Sequence, residues 1–113
     1  MEDFTVEGGA AAMRALLDEQ AGVDAVFAAS DLTAIGALSV LAERGLDVPG
    51  DVALVGFDDL REARLSTPPL TTVRQPIEAL GRTMAATLVD RLAGLPVERA
   101  TVLPVGLVRR ASA

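Results

Sequence analysis

The sequence contains no cysteine, no histidine and no lysine, since all ten of its basic residues are arginine. Without cysteine it forms neither disulfides nor thiolate metal sites, and without histidine it lacks the commonest general base and metal ligand. The absence of lysine excludes a Schiff-base lysine and a P-loop lysine. No G-x-S-x-G nucleophile elbow and no glycine-rich phosphate loop occur either. We therefore expect no enzymatic activity, no catalytic residues, no cofactor and no metal site.

Aromatic residues and positive charge are also scarce. Phenylalanine is the only aromatic residue, with three copies, so alanine, valine and leucine must form the core of a chain that is 50% hydrophobic. A net charge of −6 predicts that the chain alone is repelled by nucleic acid, and we expect Arg109 and Arg110 to form a solvated end. No apolar run is long enough for a membrane span, and the acidic start lacks a secretory signal. A soluble cytoplasmic protein is the expectation.

Local patterns predict one α/β domain with a mostly parallel sheet and helices on its faces. Apolar spacing and alanine content predict three helices, at 8–21, 31–44 and 76–93. Short apolar or β-branched runs predict four strands, at 24–29, 52–57, 70–74 and 101–108. The intervening residues 58–69 are expected to be a polar loop. The apolar residues of the second helix fall on one stripe (Leu32, Ile35, Leu38, Ala42), and those of the third helix recur at helical spacing (Ile77, Leu80, Met84, Leu88, Leu92).

The segment Val48–Pro76 carries the strongest functional signal. Its buried strand ends in two carboxylates, Asp58 and Asp59. Ligands of open α/β sheets bind beyond the carboxyl ends of the strands, so Asp58 is the first candidate for ligand contact. The alternative is that Asp58 caps a local turn. Adjacent residues of an extended segment point to opposite sides, which indicates a structural role for Asp59.

Four segments occur in an order and spacing that resembles the LacI/GalR family of bacterial transcription regulators. They are FAASDLTAIGA (Phe27–Ala37), GLDVPGDVALVGFDD (Gly45–Asp59), TPPLTTVRQ (Thr67–Gln75) and LPVGLVR (Leu103–Arg109). The resemblance implies a type I periplasmic-binding-protein-like fold, in which two α/β subdomains enclose a ligand cleft. It implies that residues 1–113 are an incomplete, C-terminal portion of that effector and dimerisation domain. The DNA-binding helix-turn-helix has no counterpart here, so we expect operator DNA to be bound only through a missing N-terminal domain.

The same resemblance implies three ligand-binding residues. Asp58 matches the family's cleft aspartate, which hydrogen-bonds sugar hydroxyls. Ser30 falls where the family usually has a ligand-contacting asparagine, although a plain helix N-cap is an open alternative. Gln75 lies in the crossover to the other subdomain, with a backbone-bonding glutamine as its alternative. Asp31 sits at a helix N-terminus and is expected to be structural, and Arg74 is expected to be exposed.

The resemblance also implies a homodimer and a function. The helix residues Ala34, Ile35 and Leu38, and Leu65 and Ser66 in the loop, match family dimer contacts; intramolecular core is the alternative for the helix. We expect the effector-sensing portion of a LacI-type regulator, with a sugar as its small-molecule effector. A fragment of a periplasmic sugar-binding protein of an ABC transporter is the alternative. A phosphoreceiver domain is disfavoured because the required lysine is absent.

Overall fold

The computed structural model describes residues 4–113 and contains four helices and four strands within that range. The elements follow one another along the chain as α1 (Val6–Glu19), β1 (Ala25–Phe27), α2 (Asp31–Glu43), β2 (Ala53–Asp58), α3 (Arg61–Leu65), β3 (Thr71–Arg74), α4 (Ile77–Leu92) and β4 (Gly106–Val108). The strands form one sheet in the order β1-β2-β3-β4. β1 pairs parallel with β2, and β2 pairs parallel with β3. The predicted α/β class with a mostly parallel sheet and flanking helices is confirmed.

The chain divides into two compact units. The first runs up to Arg74 and resumes with Leu107–Ala113, and the second is Gln75–Gly106. The core lies in the first unit. Its largest fully buried side chains include Leu41 and Val40 of α2, Leu54 and Val52 around β2, and Leu70 before β3. No helix of the described residues is long and apolar enough to cross a membrane.

Capping residues set the helix ends. Thr5 caps α1 by accepting a hydrogen bond from the Gly8 amide at 2.9 Å, so the helix begins two residues before the predicted start. Ser30 caps α2 in the same way through the Thr33 amide. Gly45 follows α2 with φ +68°, a conformation that glycine adopts without strain.

Two glycines bring α1 and α2 into close contact. A Cβ at Gly9 would overlap the Thr33 carbonyl, and a Cβ at Gly36 would overlap the Val6 carbonyl oxygen. The backbones therefore approach more closely than larger side chains would allow. Because α2 packs against α1, β2 and α3, its buried set is broader than the predicted single stripe: Asp31, Ala34, Gly36, Ala37, Leu38, Val40, Leu41. On the predicted stripe Leu38 is buried, Ile35 is half-buried against the core, Leu32 is half-buried and Ala42 is exposed.

The predicted loop 58–69 and the predicted final strand also differ from the structure. The loop contains the five-residue helix α3, anchored by buried Ala63, whose carbonyl accepts from the Leu70 amide at 2.8 Å. A helix this short has no apolar period that a sequence could show. The last strand is only Gly106–Val108 instead of 101–108, and Pro104 lacks the amide that a ladder would require.

The C-terminal tail belongs to the core of the first unit. Ser112 is fully buried, and its amide donates to the Pro69 carbonyl at 3.1 Å while its carbonyl accepts from the Leu54 amide at 2.9 Å. Its hydroxyl accepts from the Thr71 amide at 2.8 Å and donates to the Leu54 carbonyl. Ser112 thus joins the beginnings of β2 and β3.

The second unit consists of α4 and the segment that follows it. The helix forms almost as predicted, yet none of its residues is buried. Its large apolar side chains are mostly exposed: Ile77, Met84, Leu88, Val89, Leu92. Leu80, Met84 and Leu88 line a shallow groove with residues 98–101 and Leu103. The second unit therefore carries a large exposed apolar surface.

Candidate ligand site at the carboxyl end of the sheet

The candidate site lies where the parallel strands β1, β2 and β3 end. Because parallel strands place their carboxyl ends at one edge, Ser30 after β1, Asp58 at the end of β2 and Arg74 at the end of β3 share that edge. The pairing of Asp58 with Arg74 in the sheet register confirms their proximity. This edge is the position at which open α/β sheets bind ligands.

Asp58 and Asp59 adopt an unusual backbone conformation. Their φ angles are +121° and +60°, and among the described residues no other non-glycine residue has positive φ. Such conformations are unfavourable for residues with a Cβ, and they cluster at functional sites where surrounding contacts maintain them. Asp58 is half-buried at the end of β2.

Asp59 is held by two arginines. Its side chain is only 3% exposed, and its Oδ2 accepts from Arg74 Nε and its Oδ1 from Arg110 Nη2, each at 2.7 Å. Burial alone would raise the pKa of Asp59. The hydrogen bonds from Arg110 and then Arg74, together with their charges, outweigh burial and hold this pKa below its usual value. The carboxylate is therefore ionised, and its geometry agrees with the predicted structural role.

The predicted solvated end is wrong at Arg110, and the predicted exposure of Arg74 does not prevent it from forming an ion pair. The Arg110 side chain is 15% exposed and also donates from Nη1 to the Leu70 carbonyl at 2.9 Å, so the expected solvated end was wrong at this residue. Arg74 is 60% exposed, as expected, yet it still pairs with Asp59. Local patterns gave no signal for the Arg110 contact because its partner lies 51 residues away along the chain.

Asp31 is a fully buried structural carboxylate in this arrangement. Its Oδ1 accepts from the Thr72 hydroxyl at 2.6 Å, and its Oδ2 accepts from the Leu60 amide at 2.7 Å. A Cβ at Gly56 would overlap Oδ1, so glycine in β2 makes room for this carboxylate. Asp31 thereby connects the start of α2 with β3 and with the loop that follows Asp58.

Ser30 is positioned mainly as a helix cap. It is buried, and its hydroxyl lies 3.2 Å from the Thr33 amide and 2.9 Å from the Thr33 hydroxyl. The N-cap alternative is therefore realised, and a ligand contact stays a prediction. Gln75 is half-buried and is the first residue of the second unit. Its ligand contact, and that of Asp58, likewise stay predictions.

The predicted dimer residues differ in their availability to a partner. Ala34 is 0% exposed and Leu38 is buried, so both side chains pack inside this chain. Ile35 and Ser66 are half-buried, and Leu65 is exposed. The dimer interface stays a prediction, and burial favours Ile35, Leu65 and Ser66 as the residues that could contact a second copy.

Between residues 4 and 113, acidic side chains do not gather into a group of three that could hold a metal ion. The side chains at this edge can form hydrogen bonds to a polar ligand. Carboxylate, hydroxyl and amide side chains are the groups that recognise hydroxyl-rich molecules.

The parallel sheet with flanking helices, and with polar residues at its carboxyl edge, defines the class as an open α/β domain. Residues 1–113 match the family described as periplasmic binding protein-like domain, and the chain belongs to that family. The transcriptional regulator CelR of Thermobifida fusca is 54% identical over 106 residues, which cover 94% of this chain and 30% of that protein. The chain therefore spans about 30% of the length of this curated relative.

Solved structures show the same relationship. A transcriptional regulator CelR–cellobiose complex is 52% identical with a TM-score of 0.91, and the match covers 98% of this chain and 34% of that chain. The Lac repressor dimer bound to operator and the anti-inducer ONPF is 34% identical with a TM-score of 0.89, over 97% of this chain and 38% of that one. The resemblance to LacI/GalR regulators is confirmed, and the transporter alternative is less supported.

Proposed function

We propose that this chain is the effector-sensing and dimerisation portion of a LacI-type transcriptional regulator, and that its effector is a sugar. The observation that carries the proposal is the position of Asp58. It ends β2 with a strained backbone, at the ligand-binding edge of a fold that matches a CelR–cellobiose complex with 52% identity. A sugar bound to that relative supports a sugar as the effector of this chain.

Asp58 is the principal ligand residue in this proposal. An ionised carboxylate accepts hydrogen bonds from two hydroxyl groups, and charge-assisted bonds of this kind are the stronger ones. Gln75 adds an amide that both donates and accepts. The Ser30 hydroxyl accepts from the Thr33 amide, and when the Thr33 hydroxyl is the donor in their 2.9 Å contact, the Ser30 proton is available to a ligand.

The remaining functions are proposed for the regulator as a whole. Operator DNA binds through a domain outside this chain, since the net charge of −6 makes these residues a poor DNA surface. The chain assembles as a homodimer through Ile35, Leu65 and Ser66, acts in the cytoplasm, and has no catalytic activity. Half of a two-lobed cleft makes fewer ligand contacts than a whole one, so we expect millimolar affinity for the chain alone.

A thermal-shift screen tests this proposal. The wild-type chain and Asp58→Ala would be melted with cellobiose, lactose, maltose, glucose and a set of nucleosides. Asp24→Ala is the matched control, because Asp24 is an exposed aspartate just before β1, at the opposite edge of the sheet. We expect one sugar to raise the melting temperature of the wild type and of Asp24→Ala but not of Asp58→Ala. A shift that persists in Asp58→Ala, or no shift with any sugar, would contradict the proposal.

A further inference from the structure

Asp59 lies next to the proposed ligand residue but is not itself accessible to a ligand. Both of its carboxylate oxygens are engaged by arginines, and its side chain is 3% exposed. We infer that Asp59 is a positioning residue. Its ion pairs with Arg74 and Arg110 hold the backbone of Asp58 in its binding conformation. This inference rests on the proposed function, because it assigns how the same site is held.

The two arginines are fixed by different parts of the first unit. Arg74 is the last residue of β3, and Arg110 belongs to the C-terminal tail. Arg110 is itself held, because Nη1 donates to the Leu70 carbonyl, and its backbone amide donates to the Thr71 hydroxyl at 2.8 Å. Asp59 therefore connects the end of β2 to two segments that are already anchored.

The backbone at Asp58 requires such anchoring. Two consecutive non-glycine residues with positive φ do not stay in that conformation unless neighbouring contacts hold them. The next two residues along the chain make such contacts. The Asp59 side chain forms ion pairs with the two arginines, and the Leu60 amide donates to Asp31 at 2.7 Å. Asp59→Asn removes the charge and one of the two accepting oxygens, so it weakens the first of these contacts and should allow Asp58 to relax.

The test combines two NMR readouts on the full 113-residue chain. The three-bond HN–Hα coupling and the intraresidue NOE of Asp58 report its φ angle, and a cellobiose titration reports the dissociation constant. The variants are Asp59→Asn, the milder Arg74→Gln, and Asp58→Asn. Asp18→Asn is the control, because it removes an exposed carboxylate that pairs with Arg44 at 2.9 Å on the α1–α2 surface.

We expect Asp59→Asn to change the φ readout of Asp58 and to weaken cellobiose binding roughly tenfold, as the loss of a charge-assisted contact would. Asp58→Asn should weaken binding while the conformation of residue 58 is kept, and Asp18→Asn should change neither readout. A folded Asp59→Asn with unchanged φ and unchanged affinity would overturn the inference. Should Asp59→Asn not fold, Arg74→Gln decides by the same two readouts, because its exposed side chain can be shortened without opening the core.

The two proposals fail differently in this experiment. If cellobiose and the other sugars cause no shifts in the wild type, the proposed ligand function is refuted, and the φ readout still decides whether Asp59 holds Asp58. If binding occurs and Asp59→Asn leaves it unchanged, the sugar function stands and the positioning role is refuted.

Discussion

Helices α1 and α2 of the first unit and helix α4 of the second have similar compositions but different surroundings. All three are rich in alanine and leucine, and all three form. In α2 seven of the thirteen residues are buried, whereas in α4 none is. The difference teaches that apolar periodicity determines where a helix forms, while burial depends on whether a partner surface is present. In the first unit α1, the sheet and α3 provide that surface.

The largest contrast should come from truncating a leucine in each unit. Leu54 is fully buried in β2, and Leu54→Ala should lower the free energy of unfolding by about 2–5 kcal/mol, because it removes apolar contacts and leaves a cavity. Leu88 in α4 is exposed, so Leu88→Ala should change stability by no more than about 0.5 kcal/mol. Urea denaturation followed by circular dichroism measures both. Equal losses would show that α4 is buried in solution.

Glycine-to-alanine changes test the same contrast. We expect such a change to lower the stability of the protein in α2 and to raise it in α4. In Gly36→Ala the new methyl group overlaps the Val6 carbonyl oxygen, which should destabilise the first unit by about 1–3 kcal/mol. Gly81 in α4 has nothing within 4 Å of its Cβ position, so Gly81→Ala should favour the helix by about 0.5–1 kcal/mol. Thermal melts and the helicity measured at 222 nm show whether each variant is less or more stable than the wild type. A neutral Gly36→Ala would refute the close approach of α1 and α2.

The buried tail provides a third test within the first unit. Ser112→Ala leaves the Thr71 amide and the Leu54 carbonyl without the hydroxyl that joins them, at a cost of about 1–3 kcal/mol. The matched control is Ser39→Ala. Ser39 is exposed and bonds only within its own helix, to the Gly36 carbonyl, so its loss should be within about 0.5 kcal/mol. Chemical denaturation of both variants compares them, and a tail that is free in solution would give two equally small effects.

The smallest expected effect is the pH dependence of the Asp59 ion pairs. The pKa of Asp59 is lowered in the folded state, so its contribution to stability is fully present above the unfolded value of about 3.9 and is lost as pH falls through the lower folded value. The stability gap between wild type and Asp59→Asn should stay constant from about pH 7 to 5 and narrow below about pH 4. We expect about 1 kcal/mol, because solvent screens the exposed Arg74. Urea titrations at several pH values measure the gap, and a gap that widens in acid would contradict the assigned sign.

Signals that lie close together along the chain were sufficient to predict most elements of the fold. The capping serine at 30 and the glycine at 45 delimit α2, and short apolar runs located β1, β2 and β3 within two residues at each end. Such signals act within a few residues, so a single sequence is enough to detect them. The position of Asp58 at the end of β2 was predicted for the same reason.

Contacts between distant residues could not be predicted in this way. The hydrogen bonds of Ser112 with Leu54 and Thr71 span 58 and 41 residues, and the Arg110–Asp59 pair spans 51. No local pattern distinguishes a buried serine near the chain end from a solvated one. The close approach at Gly9 and Gly36 was missed for the same reason, because the residues around a glycine in a helix do not show which surface it packs against.

The most direct measurement of the sugar site is a chemical-shift map of the isotope-labelled wild-type chain titrated with cellobiose. Asp58 at the carboxyl edge of the first unit predicts the largest shifts at residues 58–60 and around Ser30, with saturation at millimolar sugar. Shifts confined to the apolar groove of α4, or no shifts with any sugar of the panel, would contradict a ligand site built around Asp58.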